Sequence, residues 1–173
     1  MRIKEKIAIK LLSRVAGLLQ HTPEIPTMSL VKEVGVLWQP EQKEAFQYIH
    51  NYFINKNVIL NDLCVCNENV VLDATSNTII PKDLNWLGFP KSGKVDNFTE
   101  MHFDILFNIA IKQNVTLDYL TLVSKAKFKV GGQTDLKNYF DLSINIGQNQ
   151  NALYFVEQQI FYLGQINKKQ VNE

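Results

Sequence analysis

The stretch FDILFNIAIKQNVTLDYLTLVSKAKFKVGG, residues 103–132, decides how this chain folds. It opens on an apolar run, Phe103 to Ala110, of strand length and rich in branched and aromatic residues. Leu117, Leu120 and Val123 then recur at helical spacing, and Thr116 is placed to cap that helix. The segment KFKVG reads as a second strand, closed by Gly131 and Gly132. Strand, helix and strand in so short a span make a crossover unit, which implies a parallel sheet and a right-handed connection.

The same alternation continues outward. EVGVLW, residues 33–38, reads as a first strand stopped by Gln39-Pro40, and Glu41 to Lys56 reads as a helix. NVILNDLCVCN is a second strand, and NTIIP a short third one ended by Pro81. Residues 82–101 form a long loop with a helical turn near Asn97 to Met101. YFDLSINIG is a further strand, and Ala152 to Gln165 a closing helix with Leu153, Val156, Ile160 and Leu163 inward. The expected fold is a single three-layer Rossmann-like α/β domain over residues 30–168, with a mainly parallel sheet.

Residues 1–22 stand apart as an amphipathic basic helix, with Ile3, Ile7, Leu11 and Val15 as its apolar repeat and Lys6, Lys10 and Arg14 as a basic stripe. The first 20 residues carry a net charge of +4 and the remainder −3, within a net charge of +1. Such a helix can dock on its own body or reach an acidic partner or membrane surface. The whole chain has no field of the kind nucleic acid demands, so no nucleic-acid partner is expected.

An internal echo runs through the second half. Phe103 to Asn108 reads FDILFN, and Phe140 to Asn145 reads FDLSIN, 37 residues later. Asp104 and Asp141 are predicted to sit where strands begin, accepting loop N–H groups while water solvates them. Asn108, Gly131, Gly132 and Asn145 fall at the carboxyl ends, where open α/β sheets hold ligands. They form the candidate ligand-binding site. Lys127 and Lys129 alternate with Phe128 and Val130 and are predicted to face water.

Several chemistries lack their residues. The turn after the first strand, WQPEQKEA, has no glycine to admit a pyrophosphate, and Glu41 and Glu44 would repel one. GFPKSGK, residues 88–94, lacks the spacing and the Ser or Thr of a phosphate loop. Cys64 and Cys66 read as buried free thiols, and His21, His50 and His102 stand without ligand spacing. No catalytic residue, metal or cofactor is assigned. No segment approaches the roughly 18 apolar residues of a membrane span, no secretory leader is recognisable, and a cytoplasmic location is expected.

Through FDILFN, SKAKFKVG and the upstream KDLNW (Lys82 to Trp86), the chain resembles an uncharacterised bacterial protein family of about this length, best over residues 80–165. That family carries no established activity, so the resemblance supplies no catalytic residues. A more distant likeness is to the N-terminal Rossmann-like half of heptosyltransferase-type glycosyltransferases, on Asp104, Ala126, Val130 and Gly131. Those enzymes bind the sugar nucleotide mainly in a second domain and have a glycine-rich first turn, neither of which fits here. The likeness therefore implies fold rather than transfer. The functional expectation is a non-catalytic protein acting through protein interaction or self-association by residues 1–20 and the 82–101 loop. The alternative is a small-ligand or nucleotide-sugar binding protein, a reduced glycosyltransferase-like domain.

Overall fold

A computed structural model of the chain describes residues 3–68, 77–133 and 140–170, the last four without their side chains. Its elements in chain order are α1 (Ile3–Leu18), β1 (Glu33–Trp38), α2 (Lys43–Ile54), β2 (Ile59–Val65), β3 (Thr78–Ile79), α3 (Asp96–Thr99), β4 (Ile105–Asn108), α4 (Val115–Val123), β5 (Lys129–Gly132), β6 (Leu142–Ile144) and α5 (Ala152–Gln170). The six strands form one sheet in the order β3-β2-β1-β4-β5-β6. Every pairing is parallel. This is the Rossmann order, and the direction of winding reverses between β1 and β4.

Strand alternation divides the core between the two faces. Val34, Val36, Trp38, Ile105, Phe107 and Val130 point to one face, where Ala45, Ile49 and Phe53 of α2 and Val156 and Leu163 of α5 cover them. Leu37, Leu63, Val65 and Leu106 point to the other, under Phe98 of α3 and Leu117 and Leu120 of α4. Parallel strands covered on both sides become continuous apolar runs, as EVGVLW shows. Gly35 stands in β1 because a Cβ there would lie 2.7 Å from the Phe103 ring.

The N-terminal helix departs from its expected orientation. Ala8 and Leu12 are its buried residues, and Leu12 packs with Val15, Ala16, Phe89, Tyr119, Leu122 and Phe140 against α4. The Ile3–Ile7 row faces water instead, with Ile3 at 79% exposure, and Leu18 is 83% exposed. Two apolar rows therefore run along one helix, and the shape of α4 selects the smaller, alanine-containing row for close approach.

Other boundaries shift for local reasons. The α4 cap is Asn114, not Thr116: its Oδ1 accepts from the Thr116 amide (3.0 Å) and the Leu117 amide (3.1 Å). Thr116 instead donates its hydroxyl to the Gly88 carbonyl at 2.7 Å, which pins the 82–101 loop to α4. That loop carries a 3-10 turn at Pro81–Asp83, a bridge between Leu84 and Pro90, and α3. The closing helix runs to Gln170, five residues beyond the predicted end.

Candidate functional site

Where winding reverses, the chain leaves β1 towards α2 on one face and leaves β4 towards α4 on the other. The two departing loops cannot close over each other, and a crevice opens at the carboxyl edge. It measures about 420 Å³ and is lined by Gln39 to Ala45 residues of the β1–α2 turn, Ile111 and Lys112 after β4, and Gln150 to Leu153 at the start of α5. A more open depression of about 570 Å³ lies over α3 and ends at Asn77, beside residues outside the described set.

The crevice floor is polar. Gln39 is only 6% exposed. The Gln42 amide donates to the Gln39 main-chain carbonyl at 2.8 Å. Gln42 is equally buried, and its Oε1 accepts from the Gln39 amide at 2.9 Å, leaving its NH₂ donors. Ala45, Ile111 and Leu153 add apolar surface, while Glu41, Glu44 and Lys112 stand exposed around the mouth.

The residues singled out from sequence lie elsewhere on the same edge. Asn108 is buried and fully engaged: its Nδ2 donates to Thr121 of α4 (3.2 Å), its Oδ1 accepts from the Ala110 amide (3.1 Å), and its carbonyl accepts from Gln159 of α5 (3.1 Å). It braces the sheet between two helices. Gly131 is filled over by Phe140, whose ring carbons would lie 2.2 Å from an added Cβ, and Gly132 lies against Phe155. Asn145 is exposed and closes its own turn, accepting from the Gly147 amide (2.7 Å) and donating to Gln133 (2.6 Å). Asn108 and Gly132 share a cavity of only about 40 Å³. Asn145 does not line it. Gln39 and Gln42 carried no motif, and only the strand order identifies them.

At the opposite, amino edge the two aspartates anchor the chain. Asp104 accepts from the amides of Lys32 (2.8 Å) and Glu33 (3.2 Å) and pairs with the Lys127 ammonium at 2.8 Å. Burial alone would raise its pKa, but Lys127 and the two amides outweigh that and hold the carboxyl below its usual range, while Asp104 raises Lys127 in turn. Asp141 accepts from the Lys129 amide (2.7 Å) and meets His21 at 2.8 Å. The segment between α1 and β1 is thereby tied along this edge, and the Glu24 amide also donates to the Lys127 carbonyl at 3.0 Å.

The three lysines of SKAKFKVGG are all engaged. Lys125 pairs with Glu100 and Lys127 with Asp104. Lys129 does not face water: it is 4% exposed, and its Nζ donates to the Leu122 carbonyl at the end of α4 (3.0 Å). That orphan carbonyl is what draws the lysine inward. Burial pushes its pKa down to about 8, against a smaller upward pull from Asp141.

On the α2 side, Trp38 donates its indole N–H to Asp62 at 2.7 Å, and burial still raises the Asp62 pKa. Cys64 and Cys66 are buried free thiols with sulfurs 4.0 Å apart, both held in the protonated form by burial. No group of His, Cys, Asp and Glu suited to a metal ion occurs among the described residues.

A second surface lies on the outer side of α4. There α1 and the 85–89 turn sit side by side, joined through Phe89, whose ring is 5.2 Å from that of Tyr119. Trp86 at the tip of this turn is 66% exposed. No helix among the described residues is long and apolar enough to cross a membrane.

No curated protein and no solved structure matches the chain. A family model does, over residues 4–166, which takes in α1, the whole sheet and most of α5. The chain therefore belongs to the family of unknown function DUF6913.

Proposed function

We propose that the chain is a non-catalytic interaction protein that docks an acidic protein partner through the outer face of α1 and the neighbouring turn at Trp86. One observation carries this reading: α1 spends Ala8 and Leu12 on its own domain and leaves a second apolar row, with Ile3, Ile7 and Leu18, in water. An apolar row on a solvated helix face is the form taken by helix-in-groove recognition. Lys4, Lys10 and Arg14 border the row, so the complementary groove is acidic. Pairing of two copies through α1 would bring these cations together, which disfavours self-association by this face. The perturbed groups support the non-catalytic part. Asp62, Asp104, Lys127 and Lys129 each meet a partner within the fold, and none lines the 420 Å³ crevice. A cytoplasmic location belongs to the same proposal, because Cys64 and Cys66 stay reduced there.

The test uses the full chain with Ile3, Ile7 and Leu18 all changed to Ser. These side chains are exposed, so melting should be unchanged. Quantitative capture should lose a salt-sensitive set of acidic proteins that wild type retains, with wild type monomeric by light scattering. An unchanged captured set, or a concentration-dependent dimer abolished by the variant, overturns the acidic-partner reading.

A second reading, a small-ligand binder of the nucleotide-sugar type, draws support from the strand order and the crevice that it opens. It requires no transferase chemistry, and the turn after β1 offers no glycine for a pyrophosphate.

A further inference from the structure

We infer that the crevice between β1 and β4 takes a neutral, polyhydroxylated ring, a sugar or an unphosphorylated nucleoside, and excludes phosphate esters. The inference rests on the small-ligand reading and narrows it to a chemical class.

Phosphate at the start of a helix is held by free backbone amides. At the start of α2 most of those donors are missing or spent. Pro40 has no N–H, the Gln39 amide is bound by Gln42 Oε1, and the Gln42 amide by the Gln39 carbonyl. Glu41 and Glu44 against Lys112 leave the mouth net acidic, so an anion would enter against the local charge. The first turn of α5 presents the amides of Ala152 and Leu153, and there the exclusion of phosphate rests on Glu41 and Glu44 in the same lining, which leave those amides to a neutral hydroxyl oxygen.

The floor offers what hydroxyl groups use. A hydroxyl both donates and accepts, and the carboxamide of Gln39, a lining residue, can do the same. The Gln42 NH₂ adds donors, and Glu41 and Glu44 accept from hydroxyls nearer the mouth. Ala45, Ile111 and Leu153 match the C–H face of a ring. The volume of about 420 Å³ lies within the usual range for small-molecule sites.

The experiment is calorimetric titration of the full chain with four probes: adenosine, N-acetylglucosamine, AMP and UDP-N-acetylglucosamine. At least one neutral probe should bind, its phosphorylated counterpart should bind about tenfold more weakly or worse, and Gln39→Leu should weaken the neutral probe by about tenfold. Adenosine against N-acetylglucosamine tells nucleoside from sugar. Tighter binding of AMP or the UDP-sugar overturns the chemical class while leaving a ligand site in place. Binding that Gln39→Leu does not change, with the variant's melting unaltered, removes the site from this crevice. No heat with any probe overturns both the class and the small-ligand reading.

Discussion

Raising the pH from 7 to 10 should stabilise this protein through Lys129. Below about pH 8 the ammonium is charged in both the folded and the unfolded chain, and the folded state bears the cost of burying it. Between about 8 and the ordinary value of 10.5 the folded protein has lost that proton while the unfolded chain still binds it. Where the unfolded state holds more protons, stability rises with pH. The gap between the two values corresponds to roughly 2–3 kcal/mol gained by pH 10. The assay is urea unfolding at pH 7 and pH 10, for wild type and Lys129→Met. Other lysines and the tyrosines titrate in both proteins, so the quantity of interest is the difference between the two pH-dependent changes. Lys129→Met also strands the Leu122 carbonyl, a cost that does not vary with pH and cancels in this comparison. A wild-type gain over the variant of about 2 kcal/mol or more is expected. A difference within about 0.5 kcal/mol of zero, or one of opposite sign, would refute the account of a buried, desolvated amine.

Two packing and capping predictions follow from distances already given. Gly131→Ala should cost about 1–3 kcal/mol in denaturant unfolding, because its Cβ would lie 2.2 Å from the Phe140 ring, and adding Phe140→Leu should recover part of the loss. Asn114→Ala should cost about 1 kcal/mol through the two α4 amides it leaves bare, whereas Asn114→Asp should hold stability near wild type; equal losses for both would point away from capping.

How much of this was legible in the sequence depends on the range of the interaction that decides each feature. The crossover unit over residues 103–132 could be read because strand and helix periods are local, and they placed β4, α4 and β5 in order. The aspartates of the FDILFN and FDLSIN echo could be read because a carboxylate at a strand start meets the amides that open the neighbouring strand, however far away in sequence that strand lies. The inward face of α1 could not. Ile3, Ile7 and Leu11 compete with Ala8, Leu12 and Val15, and the choice belongs to α4, more than a hundred residues away. The burial of Lys129 was hidden for a related reason: an alternating strand pattern predicts a solvated lysine unless a helix ends above it with an unpaired carbonyl. Gln39 and Gln42 look ordinary in the chain and gain their position only when β1 lies beside β4, a pairing that periodicity does not encode.

The stitching of the N-terminal segment along the amino edge has a consequence for how the protein is made. His21 meets Asp141 across 120 residues of chain, and Glu24 and Lys32 wait for Lys127 and Asp104. A ribosome delivers the N-terminus first, yet every anchor for it is synthesised late. Until α4 and β5 are made, α1 and its apolar rows have no docking surface of their own. The segment before β1 therefore waits on residues made about a hundred positions later, and nascent chains stalled before residue 123 should be the form most in need of a chaperone.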